Sequence, residues 1–313
     1  MELEVINYED LSSDNNLRVV DKIHTALFMT GIIGVRNVPT FIQKSAAYLE
    51  AARRFVALNE NVKQKYAPNR DAGITEGYEV GAEQFKDQHG NWQTDNKKVS
   101  YYAYVPDHES TIWPNELDLK KPYLDLGQLM FTTGNKVLQA LNFQENKTLF
   151  ERGYVGFGRM LHYLNASSNE DTNPNWCGAH LDHGVFTALM PAYYFKGDRE
   201  VIEPEEAGLY VVPSTKNSFE KVHVIDKSIM LFQVGEFLQL ATNDKLRATK
   251  HLVRKPNSAI ERFAFALFFG AQPDVVIQSD SVLTKDERFM LHATGKQISY
   301  ALWENASYER YRA

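Results

Sequence analysis

The 313-residue chain has a single cysteine, Cys177, which excludes an intramolecular disulfide and a cluster of thiolate metal ligands. No stretch approaches the roughly 20 apolar residues that a bilayer span needs. The opening Met1-Glu-Leu-Glu-Val-Ile6 places acidic residues where a secretory leader carries basic ones, so a cytoplasmic location and no membrane partner are the expectation. Positive charge is not in excess either: 34 Lys and Arg stand against 40 Asp and Glu, a formal charge of −6. With no clustered basic run, nucleic acid is disfavoured as a partner, because phosphate affinity rests on grouped cations. Internal repeats and low-complexity tracts are missing. What is present is an ordinary globular composition, 43% hydrophobic and 24% charged, enough to bury a substantial core.

The first third reads as largely helical. Leu17, Val20, Ile23 and Leu27 recur at helical spacing, with Gly31 as a stop. A short apolar strand, Ile32 to Arg36, follows, and Pro39-Thr40 opens a second helix running to about Leu58. Residues 69–98 are polar with weak periodicity. The segment 116–150 reads as a long connecting helix with Pro122 and Gly127 as possible interruptions. Beyond Arg152 the texture changes to short runs rich in Tyr, Val, Phe and Leu, punctuated by Gly, Pro, Asn and Asp: Tyr154 to Asn165, Val185 to Phe195, Leu209 to Val212, Ile229 to Val234 and Arg262 to Phe269. Strands at that spacing favour a sandwich or jelly roll over a βαβ sheet. The expected organisation is one compact unit: a helix-rich region over 1–115, the helix over 116–150, a jelly-roll catalytic core over 151–275, and a helical tail over 276–313.

The residues that carry chemistry begin with Gly178-Ala-His180-Leu-Asp182-His-Gly184. On a strand, His180 and Asp182 would project from one face and offer two ligands to one divalent ion. His251, in a later strand-like segment, is the natural third. Two histidines and one carboxylate leave three octahedral positions open, the arrangement that suits non-haem Fe(II). Eleven residues after His251 (262 − 251) comes Arg262, at the head of the apolar run Arg262-Phe-Ala-Phe-Ala-Leu-Phe-Phe269. A guanidinium there either grips an anion with its fork, or faces solvent, or pairs with Glu261.

This set, His180-x-Asp182, His251 and Arg262, resembles the pattern of the Fe(II)/2-oxoglutarate oxygenases, in particular the isopenicillin-N-synthase-like superfamily. Weaker matches run along the chain in the same order: Val5 to Leu11, Thr30 to Val35, Lys65-Tyr66, Glu76-Gly-Tyr78, Gly208 to Val211, and Gly235 to Gln239, the last two read as core strands. The resemblance implies a mainly β fold with flanking helices, a double-stranded β-helix core, and Fe(II) held by His180, Asp182 and His251. It also implies 2-oxoglutarate and O2 as co-substrates, with Arg262 on the distal carboxylate of the keto acid.

One departure from the family pattern concerns that carboxylate, since Ala264 stands where the family's Arg-x-Ser has serine. Tyr163, on the face shared with Leu161 and Arg159 by strand alternation, is expected to supply a second carboxylate contact. Arg159 and Glu83 are candidate substrate contacts. The connection between Leu189 and Gly208 is longer than the family's usual hairpin; it is expected to shape access to the site, and its Tyr193, Tyr194 and Phe195 are read as packing residues. His183 has the wrong parity to join the ligands. The expected activity is oxidation, by default hydroxylation, of a small molecule with release of succinate and CO2. An Fe(II) oxidase that does not use 2-oxoglutarate and a non-catalytic jelly-roll binding module are the alternatives.

Overall fold

Three helices are set by their apolar spacing and by what ends them. The computed structural model describes residues 1–12, 17–81, 84–86, 92–94, 98–141, 143, 145–164, 174–224 and 226–312. Helix Leu17–Thr30 buries Val19, Ile23, Ala26 and Leu27. It stops at Gly31, whose φ of +74° is the left-handed conformation glycine adopts without strain; the Gly31 N–H donates to the Leu27 carbonyl at 3.1 Å. Helix Phe41–Val56 buries Tyr48, Leu49, Ala52 and Phe55 among others.

The expected single helix over 116–150 is two, Lys120–Leu141 and Lys147–Glu151. Pro122 and Gly127 do not interrupt the first. Pro122 lies in the opening turn, where its missing N–H has no intrahelical partner to lose. The first helix ends at Leu141, and the second is opened by Asn146, in a left-handed conformation with φ 52°, whose side-chain amide donates to the carbonyls of Ala241 and Gln278 at 2.8 Å each.

A ten-stranded sheet and a four-stranded sheet form the β core of the described residues. The larger runs in spatial order Val5–Asn7, Ile32–Arg36, Met230–Val234, Phe186–Leu189, Glu261–Ala271, Tyr154–Tyr163, Lys98–Val105 and Gly77–Val80. The hairpin Tyr193–Lys196 with Arg199–Val201 is added beside the start of Glu261–Ala271. The smaller sheet runs Glu220–Lys221, Gly208–Val211, His251–Arg254 and Asn175–His180.

The alternation of Glu261–Ala271 sorts the molecule into layers. Phe263, Phe265, Leu267 and Phe269 point outward into the main core, with Tyr48, Phe55, Tyr123, Leu126 and Met130 of the helices. Arg262, Ala264, Ala266 and Phe268 point inward toward the smaller sheet. The sheets meet in two clusters, one joining Leu161, Tyr163 and Ala264 to Trp176 and Val253, the other joining Ile32 and Leu231 to Leu209 and Val211. This is the double-stranded β-helix with flanking helices. No helix of the described residues is long and apolar enough to cross a membrane.

Several local expectations are corrected. Val185 to Phe195 is two strands, Phe186–Leu189 and Tyr193–Lys196, parted at Met190-Pro191-Ala192, where proline cannot donate to a ladder. Gly235 to Gln239 is not a strand but leads into the helix Glu236–Ala241, all six residues of which are buried; a short run buried on every side has no periodicity to tell helix from strand. The tail is only partly helical, since Val276–Gln278 pairs with Gln297–Ser299 ahead of helix Tyr300–Arg312.

Candidate metal centre and its pocket

The facing strands Asn175–His180 and His251–Arg254 set His180 directly opposite His251. Their rings lie 4.1 Å apart between centroids. Each Nδ1 lies 2.9 Å from a backbone carbonyl, that of Gly178 for His180 and that of Thr249 for His251. A carbonyl only accepts, so both Nδ1 atoms carry a proton, and in the neutral rings both Nε2 atoms keep a free lone pair. Those two Nε2 atoms stand 3.7 and 3.9 Å from one oxygen of Asp182, Oδ1. Its other oxygen, Oδ2, accepts from Thr187 Oγ1 and from Gln233 Nε2, at 2.7 Å each.

Three donor atoms therefore face a common point. The ligand atoms of the three residues all lie within 4.8 Å of one another, a grouping that could hold one metal ion. The donor set, two imidazoles and a carboxylate with the remaining directions open, fits a non-haem Fe(II) ion.

The electrostatics agree with the geometry. Burial favours the neutral form of Asp182, but His251, His180 and the two hydrogen bonds outweigh it and hold its pKa below the ordinary value. Burial, followed by neighbouring His180, pushes His251 down to about 4. For His180 burial is overcome by Cys177 and Asp182 beside it, which push it up to about 9; a metal ion entering the triad replaces the proton held there.

Asp182 is not on the strand, which ends at His180. It reaches its partners because the following loop is gripped from two sides. The Glu236 N–H donates to the Asp182 carbonyl at 2.8 Å, and Trp303 Nε1 donates to the His183 carbonyl at 2.9 Å. The His183 ring turns away from the triad and meets Tyr308 edge-on, 5.2 Å between centroids.

Register shifts between Asn175–His180 and His251–Arg254 oppose His251 to His180 but Val253 to Cys177. This irregularity brings Cys177, three residues before His180, onto the pocket wall as well. Its Sγ lies 3.8 Å from His180 Nδ1 and 3.6 Å from Lys98 Nζ. Strict alternation hides Cys177 from a sequence reading.

Arg262 lies across the cavity on the larger sheet, 7% exposed. Register places Lys98, Tyr163, Arg262 and Tyr194 in one row across four strands. The guanidinium carbon is 4.9 Å from the centre of the Tyr163 ring, and Nε donates to the Tyr194 hydroxyl at 3.3 Å. No described group accepts from its terminal nitrogens. Glu261 is not its partner, being hydrogen-bonded to His162 at 2.9 Å.

Tyr194, read as a packing residue, is buried in the cluster with Trp176 and Tyr163, and its hydroxyl also backs the guanidinium of Arg262. Its hydroxyl donates to Glu203 Oε2 at 2.7 Å, and Lys221 pairs with Glu203 Oε1 at 2.8 Å. Met190, Pro191, Ala192 and Glu203, all in the connection between Leu189 and Gly208, line the cavity. Arg159 lines it too, its Nε donating to Ser100 Oγ at 3.0 Å. Glu83 lies outside the described residues. Sequence reading missed Thr187 and Gln233; their signal is a polar residue at the inward position of an otherwise apolar strand.

A family model described as non-haem dioxygenase in morphine synthesis N-terminal matches residues 3–117. No curated protein matches the chain by sequence. Among solved structures, the chain is similar to a putative 2OG-Fe(II) oxygenase family protein from Caulobacter crescentus (19% identity over 98% of each chain, TM-score 0.75). It is also similar to a full-length Neurospora crassa protein in complex with alpha-KG and thymine (17% identity, 98% of this chain and 97% of that one, TM-score 0.74). A third similar structure is JOX2 in complex with 2OG, Fe and JA (17% identity, 96% of this chain and 83% of that one, TM-score 0.68). The chain has the fold these proteins share.

Proposed function

We propose that this chain is a non-haem Fe(II)- and 2-oxoglutarate-dependent oxygenase that oxidises a small organic molecule, by default through hydroxylation, with release of succinate and CO2. The observation that carries the reading is the convergence of His180 Nε2, His251 Nε2 and Asp182 Oδ1 on one point, opposite a buried Arg262 with uncommitted terminal nitrogens. The similar structures, solved with 2-oxoglutarate and in one case iron, support it. Iron bound by the triad would supply the redox chemistry that activates O2, with the keto acid as co-reductant.

The chain's own residues have separable tasks. The Gly178 and Thr249 carbonyls select the imidazole tautomers that leave Nε2 free. Thr187 and Gln233 hold Asp182 so that one oxygen faces the histidines. Arg262 would receive the distal carboxylate in two-point contact, with the Tyr163 hydroxyl as a second donor, and Tyr194 steadies the guanidinium from behind. Leu161, Leu189, Leu209, Val222 and Leu231 keep the walls apolar and exclude bulk water. Arg159 is the proposed substrate contact.

Ala264 favours a second reading. Without the serine hydroxyl the keto-acid site has one donor fewer, which suits an Fe(II) oxidase whose substrate supplies the electrons. Anaerobic titration of Fe(II)-loaded protein with 2-oxoglutarate separates the two. A saturable, weak visible charge-transfer band that is lost in Arg262→Ala is expected. Iron binding without any band at millimolar keto acid would overturn the leading reading in favour of the second.

A further inference from the structure

Asp182 is the one member of the triad outside a strand, in the loop between Asn175–His180 and Phe186–Leu189. A carboxylate on a loop keeps its aim only if the loop backbone is fixed, because ordering free residues would be paid out of metal affinity. Here four consecutive carbonyls of the loop are engaged. Asp182 accepts from the Glu236 N–H at 2.8 Å, Gly184 from Phe237 at 3.0 Å and Val185 from Gly235 at 3.0 Å. These three donors belong to the backbone that opens helix Glu236–Ala241. They come this close because Gly235 lacks a Cβ, which would run into the Gly184 carbonyl oxygen.

The fourth carbonyl, that of His183, accepts from Trp303 Nε1 at 2.9 Å. It is the one contact of the four made by a side chain, and it comes from helix Tyr300–Arg312. Trp303 is fully buried. The guanidinium carbon of Arg288 lies 4.2 Å from the centre of a Trp303 ring. Ser307 Oγ links the two residues, accepting from Arg288 Nη1 at 3.2 Å and donating to the Trp303 carbonyl at 2.8 Å. Arg288 also grips Glu236 in two-point contact, and Tyr300 packs edge-on against Phe237 with ring centres 4.9 Å apart. One hub in the C-terminal segment thus serves both sides of the loop: directly through the indole, and indirectly through the helix whose N–H groups hold Asp182 and Gly184.

We propose that Trp303 is a positioning residue for the metal. Through the His183 carbonyl it fixes the backbone next to Asp182, so docking of the last helix and occupancy of the triad favour one another. The identity of the ion rests on the Fe(II) reading above. Linkage makes the effect reciprocal: whatever the docked helix adds to metal affinity, bound metal adds to the docking of the helix.

The test uses Mn(II) alone as the probe, with affinity read by competition with a chelator. Trp303→Phe keeps an aromatic ring beside Arg288 and removes the donor. It is expected to weaken Mn(II) about tenfold or more, as loss of a group that orients a metal ligand does. Phe55→Leu, a truncation beside Tyr78 and Tyr101, is the control; it lowers stability and should leave Mn(II) affinity within about twofold, as for independent sites. In the unmodified protein, hydrogen exchange followed by mass spectrometry should show Mn(II) slowing the amides of Tyr300–Arg312 more than those of Phe41–Val56, a difference that disappears in Trp303→Phe.

Unchanged Mn(II) affinity in Trp303→Phe overturns the proposal, as does an equal loss in Phe55→Leu, which would mark a general effect of stability. So does a last helix whose exchange ignores Mn(II), a result that the unmodified protein gives even if the variant fails to fold. If the unmodified protein takes up neither Mn(II) nor Fe(II), the Fe(II) reading itself is overturned. Metal-free exchange over residues 182–186, faster in Trp303→Phe or unchanged, then decides whether the indole holds the loop.

Discussion

Ala264 lies on the inward face of its strand, in register with Leu161 and, one strand further, Ser100. A hydroxyl at that position would fall beside the carboxylate proposed for Arg262, two residues away on the same face. Ala264→Ser is expected to tighten 2-oxoglutarate by about 0.5–1.5 kcal/mol, roughly two- to tenfold, in the charge-transfer titration. Unchanged affinity would mean that the carboxylate lies elsewhere. Gln233 is the other informative residue, because its side-chain amide is directed at Asp182 and His251. Gln233→Leu removes a hydrogen bond to Asp182 while Thr187 retains its own. It should weaken metal binding about 10- to 100-fold, read by competition with a chelator, with little change in 2-oxoglutarate affinity once metal is saturating.

The helix Lys120–Leu141 shows how an element can be set by what it must approach. A Cβ on Gly134 would stand 2.3 Å from Phe269 Cζ and 3.0 Å from Phe232 Cε1, so glycine is what lets the helix lie directly on the sheet that carries Arg262. In an exposed helix, exchanging glycine for alanine would add about 1 kcal/mol of stability. Here Gly134→Ala is expected to cost about 1–3 kcal/mol through overpacking, and the sign of the change in a urea unfolding midpoint discriminates between the two. Nothing in the local sequence of that helix announces the constraint; it is imposed by two rings from distant strands.

The whole molecule ties its C-terminal segment to the metal loop. Arg288, 5% exposed, makes a two-point contact with Glu236 at 2.7 and 2.8 Å and reaches Asp286 at 3.0 Å. Arg310 reaches Asp286 from the last helix at 2.7 Å. Glu236 in turn donates its backbone N–H to the carbonyl of Asp182. Arg288→Met leaves a buried carboxylate uncompensated and should cost about 3–5 kcal/mol in denaturant unfolding.

The same cluster sets a pH dependence. Burial works against ionised Asp286, but Arg288 and Arg310 outweigh it and hold its pKa well below the usual carboxylate value. A group depressed on folding contributes stability that is present above its unfolded pKa, about 3.9, and lost as pH falls through the folded value. Stability should therefore decline from about pH 4 downward, and less steeply in Asp286→Asn, by thermal unfolding across that window.

Much of the layer order was legible from one strand. Arg262 to Phe269 alternates residues for the cavity with aromatics for the helical core, because side chains on a strand must part to opposite faces. The same rule brought Tyr163 and Arg159 to one wall, and the residue types of His180, Asp182 and His251 were enough to suggest a metal. By itself, then, the sequence determined which residues could bind an ion or an anion and which faces must be apolar, since those follow from side-chain chemistry and short-range periodicity. The tertiary structure alone decided that Asp182 reaches the histidines from a loop rather than a strand, and that a bulge turns Cys177 into the pocket beside Lys98. It also decided that Thr187, Gln233 and Tyr194 back the working groups. Those outcomes depend on strand register, on irregular backbone and on contacts between distant segments, such as the 120 positions separating Trp303 from the His183 carbonyl it holds, none of which leaves a periodic trace in the order of the residues.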